Sequence, residues 1–274
     1  MNIVKRAIGT SVLARQIPFE DAWKPSTHSR FCCLIYATQN GWKLPILFEE
    51  MNQPYDWALI DFDKGEQRSE RFLKINPNGR IPALIDRETK ISVAESGAIL
   101  EYVCEMLQSP LMPSMSVDLK KHMECKQWLY WQVSAQGPML GQSMYFNRLA
   151  AVQGNQDDFA IARFGNEAKR CLKMLDDQLV TSGGPFLLGE SVSVVDVACF
   201  SYAASAYWAM VDISEMPHLQ GWLKLLHKRP SFQTGLTIPF ARPAFFGPPY
   251  ATEEQIEAEI AANSAQFNTD QKKA

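Results

Sequence analysis

Near residue 107 the hydrophobic period of this chain changes, and that change limits the folds open to it. Before it, short apolar runs alternate with amphipathic stretches; from Leu119 onward only the 3.6-residue period recurs until the tail. The run Phe31–Tyr36 is rich in strand formers and ends in a turn-forming cluster, Ala37-Thr38-Gln39-Asn40-Gly41. A helix is predicted over Trp42–Met51, a strand over Trp57–Ile60 and a short helical turn over Ser69–Lys74. The loop Asn76-Pro77-Asn78-Gly79-Arg80 leads into a strand, Ile81–Ile85, whose second residue is Pro82. Ile91–Val93 forms a strand opposite it, and Glu95–Leu107 carries apolar residues at helical spacing.

This order predicts an α/β half: a mixed four-stranded sheet of thioredoxin-like arrangement with helices on both faces. The second half is predicted all-helical from Leu119–Ala135, Phe159–Val180, Val194–Ala209 and Leu219–Lys228, with a capping box at Ser193 and Asp196. The expected organisation is an arm over 1–30, the α/β domain over 31–107 and a linker over 108–118. A helical bundle over 119–236 follows, then a Pro-rich tail over 237–274 with a terminal helix from Thr252 to about Ala262.

Composition narrows the function classes. Of 274 residues, 27 are basic and 30 acidic, a net charge of −3, so no cationic surplus points to nucleic acid. No apolar run approaches the ~18 residues that span a bilayer. The six cysteines are scattered without a Cys-x-x-Cys pair, which argues against zinc or a disulfide framework and favours a reducing compartment. A cytoplasmic location is expected. The opening residues, with three basic and no acidic side chains before Glu20, leave a mitochondrial presequence as the alternative.

Two motifs in order, Asn-Pro-Asn-Gly-Arg-Ile-Pro-Ala-Leu-Ile-Asp at 76–86 and Ala-Glu-Ser-Gly-Ala-Ile-Leu-Glu-Tyr at 94–102, resemble the cytosolic glutathione S-transferase superfamily. The stretch Ala37–Lys43, Asp63–Gln67, Gln127–Gln132 and Gly137–Gln142 resemble its nu-class and Ure2-like branch, over about residues 31–236. The resemblance implies a glutathione-dependent transferase or disulfide reductase, glutathione as co-substrate, no metal, a small electrophilic or disulfide substrate and a homodimer. Alternatives are a non-catalytic regulatory or binding protein of the same fold, or a specialised pathway transferase that cleaves ethers or transfers sulfur to natural products.

The resemblance also implies roles at matched positions. A cis bond at Ile81–Pro82 lets the Ile81 backbone pair with the glutathione peptide. Ser96 and the start of its helix suit the γ-glutamyl carboxylate, and Glu95 the ammonium. Gln67 matches a peptide contact and Arg80 a glycyl-carboxylate contact, while Gln127 and Arg163 match contacts from the helical domain. Thr38 and Asn40 stand where redox relatives of the fold carry Cys-x-x-Cys, and they are expected to stabilise a glutathione thiolate. Each has a plainer reading: Ser96 as a helix cap, Arg80 and Arg163 as surface cations, Gln127 as a face amide, Thr38 and Asn40 as turn formers. Tyr36, Cys32 and Cys33 belong to the strand pattern and are expected to pack.

Overall fold

The computed structural model describes residues 11–272, so the presequence alternative falls partly on residues 1–10, outside the described residues. The chain forms two compact units, one of residues up to Met112 together with His227–Arg242, the other of Pro113–Leu226 with Pro243 onward.

In the first unit the strands are β1 (Ala14–Gln16), β2 (Phe31–Ile35), β3 (Tyr55–Leu59), β4 (Ala83–Asp86) and β5 (Ile91–Ala94). Its first three helices are α1 (Lys43–Glu50), α2 (Glu70–Leu73) and α3 (Ser96–Met106). The sheet order is β1-β3-β2-β4-β5, with β1, β3 and β2 parallel and β4 and β5 antiparallel to their neighbours. All five residues of β2 are buried, as a central strand covered on both faces requires. Cys32 and Leu34 face a core that includes Phe72 of α2. Phe31 turns the other way and meets Phe48 of α1, ring centroids 5.4 Å apart.

The four-stranded expectation is corrected here: the sheet has five strands, because part of the arm joins its edge as β1. Three residues are too short for a period to show. Besides the ladder to β3, charge pairing holds them: Arg15 lies opposite Asp56 of β3, its Nε donating to Asp56 Oδ1 at 2.7 Å, while Arg87 Nη1 reaches Oδ2 at 2.6 Å. Burial alone would push the Asp56 carboxyl up, but the bonds from Arg15 and Arg87 outweigh it and hold the carboxyl below its ordinary value.

Residues 227–242 also belong to this unit. They carry α9 (Pro230–Gly235), preceded by Arg229, which pairs with Glu50 at the end of α1. Ser231 donates to the same carboxylate. A Cβ on Gly235 would stand 2.6–2.8 Å from Ile46 atoms, so α9 lies directly on α1.

The second unit is helical: α4 (Leu119–Trp131), α5 (Gly137–Met144), α6 (Asp158–Ser182), α7 (Val194–Ala204), α8 (Pro217–His227, its last residue in the first unit) and α10 (Glu253–Lys272). α4 does not end near Ala135 but continues through widened turns at Gln132–Gln136 and Tyr145–Ala150 on either side of α5. Pro138 falls in the first turn after a widened turn, where the ladder has already shifted register and its missing N–H is tolerated. The capping box of α7 is present. The buried Asp196 carboxylate also accepts from Leu187 N at 3.0 Å and Trp222 Nε1 at 2.8 Å, tying the helix start to α8. The terminal helix runs to Lys272, beyond the stop expected near Ala262. Among the described residues no helix is long and apolar enough to cross a membrane.

Candidate glutathione site

The loop after β2 is built by its own backbone. Thr38 N donates to Tyr36 O at 2.8 Å, Trp42 N to Thr38 O at 3.0 Å, and Gly41 N to Thr38 Oγ1 at 3.1 Å. Only glycine fits position 41, since a Cβ there would stand 1.9 Å from Tyr36 O. Threonine supplies one donor and two acceptor positions; with Oγ1 accepting from Gly41, its proton points elsewhere. The buried Arg242 guanidinium reaches the same loop, donating from Nη1 to Ala37 O at 2.9 Å. Tyr36 is stacked on Phe62 (centroids 4.4 Å apart), with Phe240 edge-on at 5.3 Å.

A second helix start meets this loop. Glu95 precedes α3 with φ +69°, ψ 116°, a backbone region that costs a non-glycine residue about 1–3 kcal/mol and recurs at ligand clamps. Glu95 is exposed and Ser96 buried. Ser96 Oγ donates to Asn40 Oδ1 at 3.4 Å and accepts from Lys43 Nζ at 3.0 Å. Asn40 thus turns its carbonyl oxygen to Ser96, leaving the amide NH₂ as its donor end.

The remaining first-unit positions lie on adjoining segments. The Ile81–Pro82 bond is cis, and the ladder of β4 begins only at Ala83, which pairs with Ala94 beside Glu95. Gln67 is buried in the turn Glu66–Arg68. A Cβ on Gly79 would come within 3.2 Å of Gln67 O, so the Asn76–Arg80 loop runs against it, with Arg80 exposed. Asn76 Nδ2 shapes that loop by donating to Arg80 O at 2.7 Å. Gln127 and Arg163 are exposed on α4 and α6 of the second unit.

All six cysteines are buried free thiols. Burial pushes the Cys32 thiol up to about 12 and raises Cys33 as well. Neither is a thiolate at neutral pH, so neither of these two supplies nucleophilic sulfur. Among the described residues no group of three or more His, Cys, Asp or Glu could hold a metal ion.

Two family descriptions match: "Glutathione S-transferase, N-terminal domain" over residues 35–105 and "Glutathione S-transferase, C-terminal domain" over 158–225. The chain belongs to the glutathione S-transferase family.

Among relatives, it is 34% identical over 199 residues to the disulfide-bond oxidoreductase YfcG of Escherichia coli, covering 71% of this chain and 88% of that one. It is 32% identical over 253 residues to the disulfide-bond oxidoreductase YghU of the same organism, covering 86% and 82%. A glutathione transferase from Burkholderia graminis, solved with two glutathione molecules per subunit, matches with a TM-score of 0.71 and 30% identity over 79% of this chain and 91% of that one.

Three positions at this family site were not singled out by role from the sequence. Lys43 and Gly41 stood within the matched stretch, where a charge directly after a turn and a glycine inside it were the available signals. Arg242 lay outside the resemblance, 205 residues from its partner Ala37, and carried no local signal.

Proposed function

We propose that this chain is a glutathione-dependent enzyme, a transferase or disulfide reductase, in which Thr38 and Asn40 stabilise the thiolate. The observation that carries the reading is the Asn40–Ser96 contact, which joins the start of α1 to the start of α3. One helix start offers donors to sulfur and the other offers donors to a carboxylate. Glutathione supplies the nucleophilic sulfur, and two molecules of it supply the electrons that reduce one disulfide to two thiols.

The chain's own part is binding and charge stabilisation. The Ser96 hydroxyl and the first N–H groups of α3 donate to the γ-glutamyl carboxylate, aided by the helix dipole. Glu95 takes the ammonium. The Ile81 backbone and Gln67 hold the peptide, and Arg80 takes the glycyl carboxylate. The Thr38 hydroxyl and the Asn40 amide donate to sulfur, which favours thiolate over thiol at neutral pH. Gln127 and Arg163 are carried as ligand contacts by their matched positions alone.

The two relatives named as disulfide-bond oxidoreductases and the neighbour with two glutathiones favour disulfide reduction as the main activity. A cytoplasmic homodimer is part of the same reading; a monomeric mass by light scattering at micromolar concentration overturns the dimer.

Titration calorimetry tests the site. Reduced or oxidised glutathione binds, and Ser96→Ala and Glu95→Ala each weaken binding, whereas absence of heat with both ligands refutes the reading. Thr38→Ala/Asn40→Ala lowers turnover at neutral pH with partial recovery as pH rises. Losing a hydrogen bond to a charged group costs about 1.5–3 kcal/mol, or roughly ten- to a hundredfold in rate.

A further inference from the structure

The Lys43 side chain is fully buried, with 0% exposure, and it is the first residue of α1. Both placements oppose a cation. Burial removes its hydration, and the N-terminal end of a helix carries positive partial charge. Methionine or leucine would fill such a position at less cost. The ammonium spans 53 residues of sequence to donate to Ser96 Oγ at 3.0 Å.

That bond has a directional consequence. Lys43 Nζ is the donor in this contact, and a serine hydroxyl has one proton and two lone pairs. Lys43 therefore occupies a lone pair of Ser96 Oγ and leaves the hydroxyl proton for donation outward. That proton goes to Asn40 Oδ1 over a long 3.4 Å, a weak bond that an incoming anion can displace. A carboxylate is a stronger acceptor than an amide oxygen.

We infer that Lys43 is a positioning residue that acts through Ser96: it orients and polarises the hydroxyl as a donor, selecting ligands that carry a carboxylate at the γ-glutamyl head. The inference rests on the glutathione site proposed above and assigns to Lys43 a share of its specificity.

The test is calorimetry with two probes, glutathione and 4-aminobutyryl-cysteinyl-glycine, which lacks only the α-carboxylate of the γ-glutamyl head. Lys43→Met weakens glutathione about tenfold, equivalent to about 1.4 kcal/mol, and leaves the affinity for the truncated peptide unchanged. Lys43→Arg, which keeps a charged donor, restores glutathione binding to within about threefold of wild type. In Lys43→Met/Ser96→Ala the loss is no more than about twofold beyond Ser96→Ala alone, because one variant has already removed what the other acts through. Thermal melting accompanies each titration, and if Lys43→Met does not fold, Lys43→Gln is read in its place.

Equal losses for both peptides, additive losses in the double variant, or unchanged glutathione affinity in the charge-removed variant each overturn the inference. The two levels separate cleanly. If Ser96→Ala leaves glutathione affinity unchanged, the site itself is misassigned. If Ser96→Ala weakens binding and removal of the Lys43 charge does not, only the role of Lys43 falls.

Discussion

Adding one methyl group at Gly41 tests whether the loop after β2 is as tightly built as its hydrogen bonds indicate. A Cβ there would lie 1.9 Å from Tyr36 O and 3.1 Å from Tyr36 C, so the loop and strand end must part by at least 1.1 Å to bring the nearer contact to 3.0 Å. Neither side yields easily. Tyr36 O is held by Thr38 N, Gly41 N by Thr38 Oγ1, and the neighbouring Ala37 O by Arg242. Forced overpacking costs about 1–3 kcal/mol, and full backbone contact on a tethered loop puts Gly41→Ala at the upper end, a melting drop of about 6–12 °C. The displacement also falls on Thr38 and Asn40, and a misplacement of about 1 Å costs roughly a hundredfold in rate.

The assay is kcat/KM for glutathione-dependent reduction of a small disulfide, with thermal melting alongside. Gly221→Ala is the control. Gly221 is an exposed interior residue of α8, and a Cβ there meets nothing within 4 Å, so alanine gains about 0.5–1 kcal/mol of helix stability. A Gly41→Ala protein with wild-type kcat/KM and an unchanged melting temperature would refute both the loop geometry and its link to the thiolate site.

Two further outcomes are expected. Under native conditions a thiol reagent such as Ellman's labels none of the six buried cysteines, and Cys32→Ala/Cys33→Ala keeps most turnover; a folded but inactive double variant would place the chemistry on the protein's own sulfur. Asp56→Asn leaves Arg15 and Arg87 without their buried counter-charge and destabilises the protein by about 3–5 kcal/mol at pH 7 in urea unfolding. Because the folded Asp56 carboxyl titrates below its unfolded value, the wild-type advantage is complete above that unfolded value, about 3.9. It shrinks as pH falls through the folded value; a difference independent of pH contradicts the pairing.

Local patterns carried much of the fold. The period switch near residue 107, the strand at Phe31–Ile35, the helix from Ser96 and the Ser193–Asp196 capping box were legible because each is written within one or two turns of chain. The candidate site was legible as segments: the turn at Thr38–Gly41, the proline at 82 and the Glu95-Ser96 pair each announce a local backbone event. Their junction was not. The Asn40–Ser96–Lys43 chain, the Arg242 bond to Ala37 O and the β1 staple through Asp56 join residues 41 to 205 apart, and no period or short motif encodes such separations. The helical period stops short of the widened turns flanking α5, since it describes regular ladders and not the places where one shifts. By itself the sequence determined where the regular central strands and the long helices lie, since backbone propensity and amphipathic period are local quantities. Only the tertiary structure decided that three residues of the arm become a fifth strand and that a lysine two residues past the turn glycine lies buried beneath a serine on another helix. Those choices are made by burial and charge pairing, which exist only once the chain has closed on itself.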